Sequence, residues 1–235
     1  MKRLYVYILL FSFVVIAVCG YLLYFVSTEY SLTISDAVSP DGVTVIIDAG
    51  HGGEDGGAVA EDKTEEKDIN LAIALMLDEE LKSRGVVTLL TRDTDKALYS
   101  GNVKTLREKK VSDLHNRMKI MEKTENSIFV SIHQNSYTSS KYSGTQVFYS
   151  PNNDAARTLA SAIQSSVVNG LQPGNNRVIK ECTSSVYLIY NAVRPAVLVE
   201  CGFMTNPGEL DKLKTEEYQR SMAHCIADGI IDFLE

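Results

Sequence analysis

The stretch Val43–Gly57, V-T-V-I-I-D-A-G-H-G-G-E-D-G-G, decides the fold. Its apolar, β-branched start, Val43–Ile47, predicts a buried strand. The strand is expected to stop at Asp48, and a glycine-rich loop follows with His51 in its middle. Glycine reaches backbone conformations closed to other residues, so such a loop can hold an imidazole at the mouth of a strand with little steric cover. Two further strands are expected to end in the same way. Ile128–Ile132 runs into His133, and Ala196–Val199 runs into Glu200. Ligand sites in open α/β sheets form outside the carboxyl ends of strands. Two histidines and a carboxylate at three strand ends point to a metal site rather than to three unrelated surface residues.

Outward from these strands the pattern alternates. Glu66–Arg84 has Ile69, Ile73, Met76 and Leu77 at helical spacing, with Gly85 as its stop. Val86–Thr91 is expected to be a strand and Arg92–Lys110 a polar surface excursion. Asp113–Thr124 is expected to be a short helix turning Leu114, Met118 and Met121 inward, with His115 exposed. Gly144–Tyr149 is expected as a strand, and a helix opens at Pro151–Asp154 and runs to about Asn169. Val186–Tyr190 and Ala196–Val199 are expected to be the last two strands. A short helix from Asn206 and a closing one over Thr215–Leu234, with Met222, Ile226, Ile230 and Phe233 on one face, complete the chain. Strands alternating with helices predict an α/β class, with a mainly parallel (mixed) central sheet and helices on both faces.

The 235 residues suffice for one such domain with a full core plus an appendage. A net charge of −7 argues against broad attraction to nucleic acid or anionic lipid. The four cysteines form no CxxC pair, so a cysteine zinc site is not indicated, and Cys182, Cys201 and Cys225 are expected to be buried thiols rather than bridged. At the other end, Lys2 and Arg3 precede an uncharged apolar run, Leu4–Val26, long enough to cross a bilayer. The basic start sets the N-terminus inside and the rest outside. The expected layout is a transmembrane anchor over residues 1–27, with a cleaved signal peptide as the alternative, a linker over 28–42 and a catalytic domain over 43–235.

A catalytic zinc needs three protein ligands and an open position for water. His51, Glu66 and His133 would supply two imidazoles and a carboxylate. Glu66 also has a plainer reading, as an acidic residue favoured in the first turn of a helix. Glu61, Asp62, Glu65 and Asp68 lie nearby, so acidity alone does not single it out. A second carboxylate, not a ligand, is needed as general base and then as proton donor to a leaving amine. Glu200 fits by position. Asp48 and Asn135 could orient the histidines from behind.

Four stretches together carry a resemblance: D-A-G-H-G-G-E-D-G-G-A (Asp48–Ala58), E-K-D-I-N-L-A (Glu66–Ala72), S-I-H-Q-N-S (Ser131–Ser136) and P-A-V-L-V-E-C-G-F-M-T-N (Pro195–Asn206). In this order they resemble the zinc-dependent N-acetylmuramoyl-L-alanine amidases of bacterial cell walls, the Amidase_3 group, from about Val43 to the C-terminus. The resemblance implies zinc (Zn2+) ligands at His51, Glu66 and His133 and a catalytic glutamate at Glu200. It also implies hydrolysis of the amide between the lactyl group of N-acetylmuramic acid and the L-alanine of the peptidoglycan stem peptide. Lys104–Leu114, K-T-L-R-E-K-K-V-S-D-L, is similar to the germination-specific subgroup that prepares spore-cortex peptidoglycan for muramic-δ-lactam formation. Peptidoglycan is then the partner. No wall-binding repeat accompanies the catalytic domain, and an acidic surface has little attraction for a wall rich in carboxylates and phosphates, so an accessory protein for recruitment or activation, or membrane placement, is expected to hold the domain on its substrate, on the extracytoplasmic side that the basic start implies. Two alternatives stand beside this: another zinc hydrolase of cell-wall material, such as a peptidase or deacetylase, and a non-catalytic wall-binding module. The four intact chemical positions argue against the last.

Overall fold

The computed structural model describes residues 42–235, so the expected membrane segment and nearly all of the linker lie outside the described residues. Six strands form one sheet: β1 (Thr44–Ala49), β2 (Val87–Leu90), β3 (Ser127–Asn135), β4 (Gln146–Tyr149), β5 (Lys180–Glu181) and β6 (Ala196–Phe203). Their spatial order is β2-β1-β3-β6-β4-β5. The pairs β2–β1, β1–β3 and β3–β6 are parallel, whereas β4 runs antiparallel to β6 and carries β5 in parallel on its outer side. The sheet is therefore mixed, with the parallel half holding the strands that the glycine loop and the two other motifs follow.

Alternation along the strands separates two apolar layers. Val45, Ile47, Ile128, Val130, Ile132, Val197 and Val199 face one side. There α1 (Glu66–Ser83), α3 (Asp154–Gly170) and α6 (Glu216–Leu234) cover the sheet, using Ile69, Ile73, Leu77, Leu159, Ile163, Met222 and Ile226. Ile46, Phe129 and Leu198 face the other side, covered by α2 (Leu106–Lys123) and α4 (Tyr187–Asn191) through Met118, Met121, Leu188 and Ile189. The last helix, α5 (Pro207–Leu213), follows β6 and starts at an Asn206 cap. Among the described residues no helix is long and apolar enough to cross a membrane.

Four expectations are corrected. Val186–Tyr190 is not a strand: Leu188 and Ile189 are consecutive and both buried, and Tyr187–Asn191 is a helical turn, because a short apolar run has no period that separates the two. The excursion after β2 ends earlier than expected, since α2 begins at Leu106 behind a reciprocal Thr105–Glu108 capping box. The two-residue strand β5 was not expected, being too short for any alternation to show. β3 and β6 also run on past His133 and Glu200, to Asn135 and Phe203, so these two side chains stand within the strands, with an irregular register between His133 and Asn135.

The antiparallel packing of α3 and α6 depends on one small residue. A Cβ at Gly229, in the interior of α6, would come within 2.5 Å of the Ile163 backbone on α3. Gly229→Ala should lower stability by about 1–3 kcal/mol through overpacking, although alanine is the better helix former. A guanidinium midpoint at or above that of the unsubstituted chain would contradict this contact.

Candidate metal centre

The centre is assembled from a loop, a helix start and two adjacent strands. After Ala49 the chain turns sharply, and His51 takes a left-handed conformation with φ 62°. That conformation costs a non-glycine residue on the order of 1–3 kcal/mol and persists only when neighbours impose it. The neighbours are two buried arginines. Arg92 donates to the carbonyls of Ala49 (2.9 Å), Gly50 (3.0 Å) and Lys67 (2.8 Å). Arg117 donates to the carbonyls of Ala49 (2.9 Å) and His51 (2.7 Å) and pairs with Asp48 and Asp113. Both arginines are 1% exposed, so these bonds replace water almost completely. Glycine is required where the loop touches the site. A Cβ on Gly50 would lie 2.3 Å from the His133 ring, and one on Gly57 would lie 2.5 Å from Glu66 Oε2.

Glu66 is the first residue of α1 and is buried. Its Oε2 accepts from the Ala58 amide at 2.8 Å, and its Oε1 accepts from the Gln134 amide at 3.1 Å and from Asn70 at 3.2 Å. Each oxygen also meets an imidazole: Oε2 lies 3.2 Å from His51 Nε2, and Oε1 lies 2.9 Å from His133 Nδ1. The two rings stand nearly perpendicular, with centroids 5.0 Å apart. Ligand-type atoms of His51, Glu66 and His133 all lie within 4.8 Å of one another. Two imidazole nitrogens and a carboxylate are the donors a catalytic zinc takes, and the set fits such an ion.

What orients the histidines differs from expectation. Asp48 touches neither ring. It is buried between Arg117, Thr91 and Ser131, and those partners outweigh burial and hold its carboxyl below the ordinary range. The residue behind His51 is Asp55, whose Oδ2 lies 2.9 Å from Nδ1 and leaves Nε2 for the site. Asn135 touches neither histidine and instead lines a neighbouring cleft. Asp55 sits inside the quoted glycine loop, four residues after His51, and that spacing was the signal available for it. Arg92 and Arg117 offered none, because polar stretches look alike whether their arginines point to solvent or inward.

Electrostatics separates the two glutamates. Burial would raise both. For Glu66 the hydrogen bonds from His133 and His51 prevail and hold it well below the carboxylate range. For His51 burial opposes protonation, but Asp55 and Glu66 raise it to about 9. Glu200 has no such partners: burial pushes it up to about 7, and its Oε2 is buried with no hydrogen-bond partner among the described residues. It is the register partner of His133 across β3–β6, so both side chains project from the same face of the sheet. Cys201, next in sequence, points into the opposite apolar layer, and Cys182, Cys201 and Cys225 are all free, buried thiols. His115 and His224 are exposed and remote from the centre, His224 lying against Glu80 and Arg84.

Comparison with known proteins gives a consistent picture. The family model Amidase_3, described as N-acetylmuramoyl-L-alanine amidase, matches residues 45–232. A germination-specific N-acetylmuramoyl-L-alanine amidase of Bacillus subtilis is 31% identical over 219 residues, covering 91% of each chain. Among solved structures, the CwlD amidase from Clostridioides difficile in complex with the GerS lipoprotein is 42% identical, with a TM-score of 0.79 over 82% of this chain and 98% of that one. The amidase AmiC2 of Nostoc punctiforme is 31% identical, with a TM-score of 0.68 over 82% of this chain and 97% of that one.

The loop's dependence on its clamp can be measured. Arg117→Ala leaves Asp48 buried without its main cationic partner and should cost about 3–5 kcal/mol in denaturant unfolding. A loss below about 1 kcal/mol would mean that the pair contributes little.

Proposed function

The chain belongs to the Amidase_3 family of N-acetylmuramoyl-L-alanine amidases, and from that membership we propose how its residues divide the work: His51, Glu66 and His133 hold a catalytic zinc, and Glu200 moves the protons. The enzyme hydrolyses the amide between N-acetylmuramic acid and the L-alanine of the peptidoglycan stem peptide. The observation that carries the assignment is the contrast between the two buried glutamates: one lies among amide and imidazole partners, the other is unpartnered, near neutral pKa and beside His133.

A zinc ion bound there would supply Lewis acidity and make a nucleophilic water available at neutral pH. Asp55 holds the His51 tautomer that presents Nε2. The Ala58 and Gln134 amides and Asn70 hold the Glu66 carboxylate in place. Glu200 takes a proton from the attacking water and returns it to the nitrogen of the departing L-alanine. A carboxyl poised near neutrality suits both halves of that task. The residues already in place also give the site a preformed geometry, which favours reaction over reorganisation.

The cellular setting is part of the same proposal. Likeness to a germination-specific amidase and to an amidase solved in complex with a lipoprotein supports action outside the cytoplasm, in spore-cortex processing, with an accessory protein as partner. The apolar segment Leu4–Val26 would hold the enzyme at the membrane facing that substrate.

The test separates metal binding from proton transfer. His51→Ala, Glu66→Ala and His133→Ala should each lose zinc and activity together. Glu200→Ala should keep its fold and most of its zinc, while release of stem peptide from peptidoglycan falls by about 10²–10⁴-fold. Metal content by mass spectrometry is read beside product release, with circular dichroism to check folding. Zinc loss in Glu200→Ala as severe as in His51→Ala would make Glu200 a ligand, and unchanged turnover would remove it from the mechanism.

A further inference from the structure

Next to Glu200 lies a cleft of about 200 Å³ lined by Asn135, Tyr137, Tyr142, Gln146, Arg177 and Phe203, which takes Asn135 from the end of β3, Phe203 from the end of β6 and Gln146 from β4. Its position follows from the strand order. His51 follows β1, His133 is on β3, Glu200 on β6 and Gln146 on β4, and these strands are consecutive neighbours. Gln146 is the register partner of Glu200, and Asn135 is the partner of Phe203. Glu200 thus borders the cleft through Gln146, its partner on β4, and Phe203, three residues further along β6, while His133 is its partner on the other side.

The cleft holds a fixed cation. Arg177 Nε donates to the Ser143 carbonyl at 2.7 Å, and Nη1 donates to Gln146 Oε1 at 3.0 Å. The guanidinium lies over the buried Phe203 ring at 4.5 Å and over Tyr142 at 6.0 Å. Tyr142 is braced edge-to-face by Tyr137 at 5.1 Å. Two anchoring bonds and a stacked face fix the orientation of the planar fork. No carboxylate among the described residues pairs with Arg177, and Nη2 donates to none of them. In a chain of net charge −7, an immobilised arginine beside the reacting centre with no acidic partner is a receptor for an anion that the protein does not supply.

We propose that this cleft binds the stem peptide on the amine side of the scissile bond and that Arg177 recognises the free α-carboxylate of the residue after L-alanine. The inference rests on Glu200 as the donor to the departing nitrogen. That nitrogen must lie at Glu200, so the lactyl side extends toward the histidines and the peptide extends over β4. The residue after L-alanine in the stem is a γ-linked glutamate, whose α-carboxylate is either free or amidated. It lies about 7 Å from the scissile nitrogen, two residue lengths. Gln146 is one strand beyond Glu200, about 5 Å away, and Arg177 is hydrogen-bonded to its side chain. Tyr142 and Phe203 supply the apolar walls against which the alanine methyl and the glutamate methylenes pack.

The experiment uses the full zinc-loaded chain with three soluble fragments: muramyl-L-alanine, muramyl-L-alanyl-D-glutamate with its γ-carboxyl capped as a methylamide, and the α-amide of the last. Calorimetric binding of the released dipeptide, as acid and as amide, is measured alongside. The unsubstituted enzyme should prefer the acid over the amide. Arg177→Gln should lose about 10–100-fold in kcat/KM on the acid, leave muramyl-L-alanine within about threefold, and abolish the acid-over-amide preference in both cleavage and dipeptide binding. Arg177→Lys, which keeps the charge but not the fork, should fall between. Equal losses on all three fragments would make Arg177 structural and overturn the proposal, as would an unsubstituted enzyme that binds acid and amide dipeptides alike. If no fragment is cleaved by the unsubstituted enzyme, the amidase assignment is what fails, and dipeptide binding still decides the subsite.

Discussion

Three consecutive carbonyl groups, those of Ala49, Gly50 and His51, are held by two buried arginines, and the site depends on that hold. A glycine-rich loop by itself is a flexible segment whose histidine would sample many positions. Arg92 and Arg117 remove that freedom by donating from rigid forks to adjacent backbone acceptors. Burying two guanidinium groups is costly, and Asp48 is the deeply buried carboxylate set against them. Such a cluster adds little net stability relative to an apolar core of the same volume. What it provides is a single loop geometry, including the left-handed His51 that would otherwise relax.

With the loop fixed, strand order sets the chemistry. The order β1-β3-β6-β4 across the sheet brings metal-type donors, a lone carboxyl group and an aromatic cleft with an anchored cation next to one another. The turn from parallel to antiparallel pairing falls between β6 and β4, next to Glu200. Because Gln146 pairs with Glu200, the cleft wall and the unpartnered carboxyl group are set by one register. A one-residue slip of β4 would turn Gln146 into the opposite apolar layer.

Much of this was legible in the sequence, for a physical reason in each case. The β-branched runs of β1, β3 and β6 are buried, mainly parallel strands, which read as unbroken apolar stretches, and the first polar residues after those runs are where the site residues His133 and Glu200 stand, with His51 just past the end of β1. Glu66 rests on weaker ground than the histidines until the family resemblance singles it out, because its difference from Glu61, Asp62, Glu65 and Asp68 lies in what surrounds it, and no local pattern records that. The same holds for Arg92 and Arg117: their burial is produced by carbonyl groups more than twenty residues away in sequence. The strand expected over Val186–Tyr190 fails for a different reason, since five apolar or aromatic residues are too few to show a period. Asp48, expected to orient the histidines from behind, pairs instead with Arg117, a residue 69 positions away that no local pattern links to it.

The central claim is that three residues hold the metal while a fourth, one strand away, stays outside its coordination. Anomalous scattering at the zinc edge from crystals of the zinc-loaded protein tests it most directly. The account predicts one strong peak bonded to His51 Nε2, His133 Nδ1 and a Glu66 carboxylate oxygen, with both Glu200 oxygens beyond bonding distance. A peak bonded to Glu200, or one that omits Glu66, would contradict it.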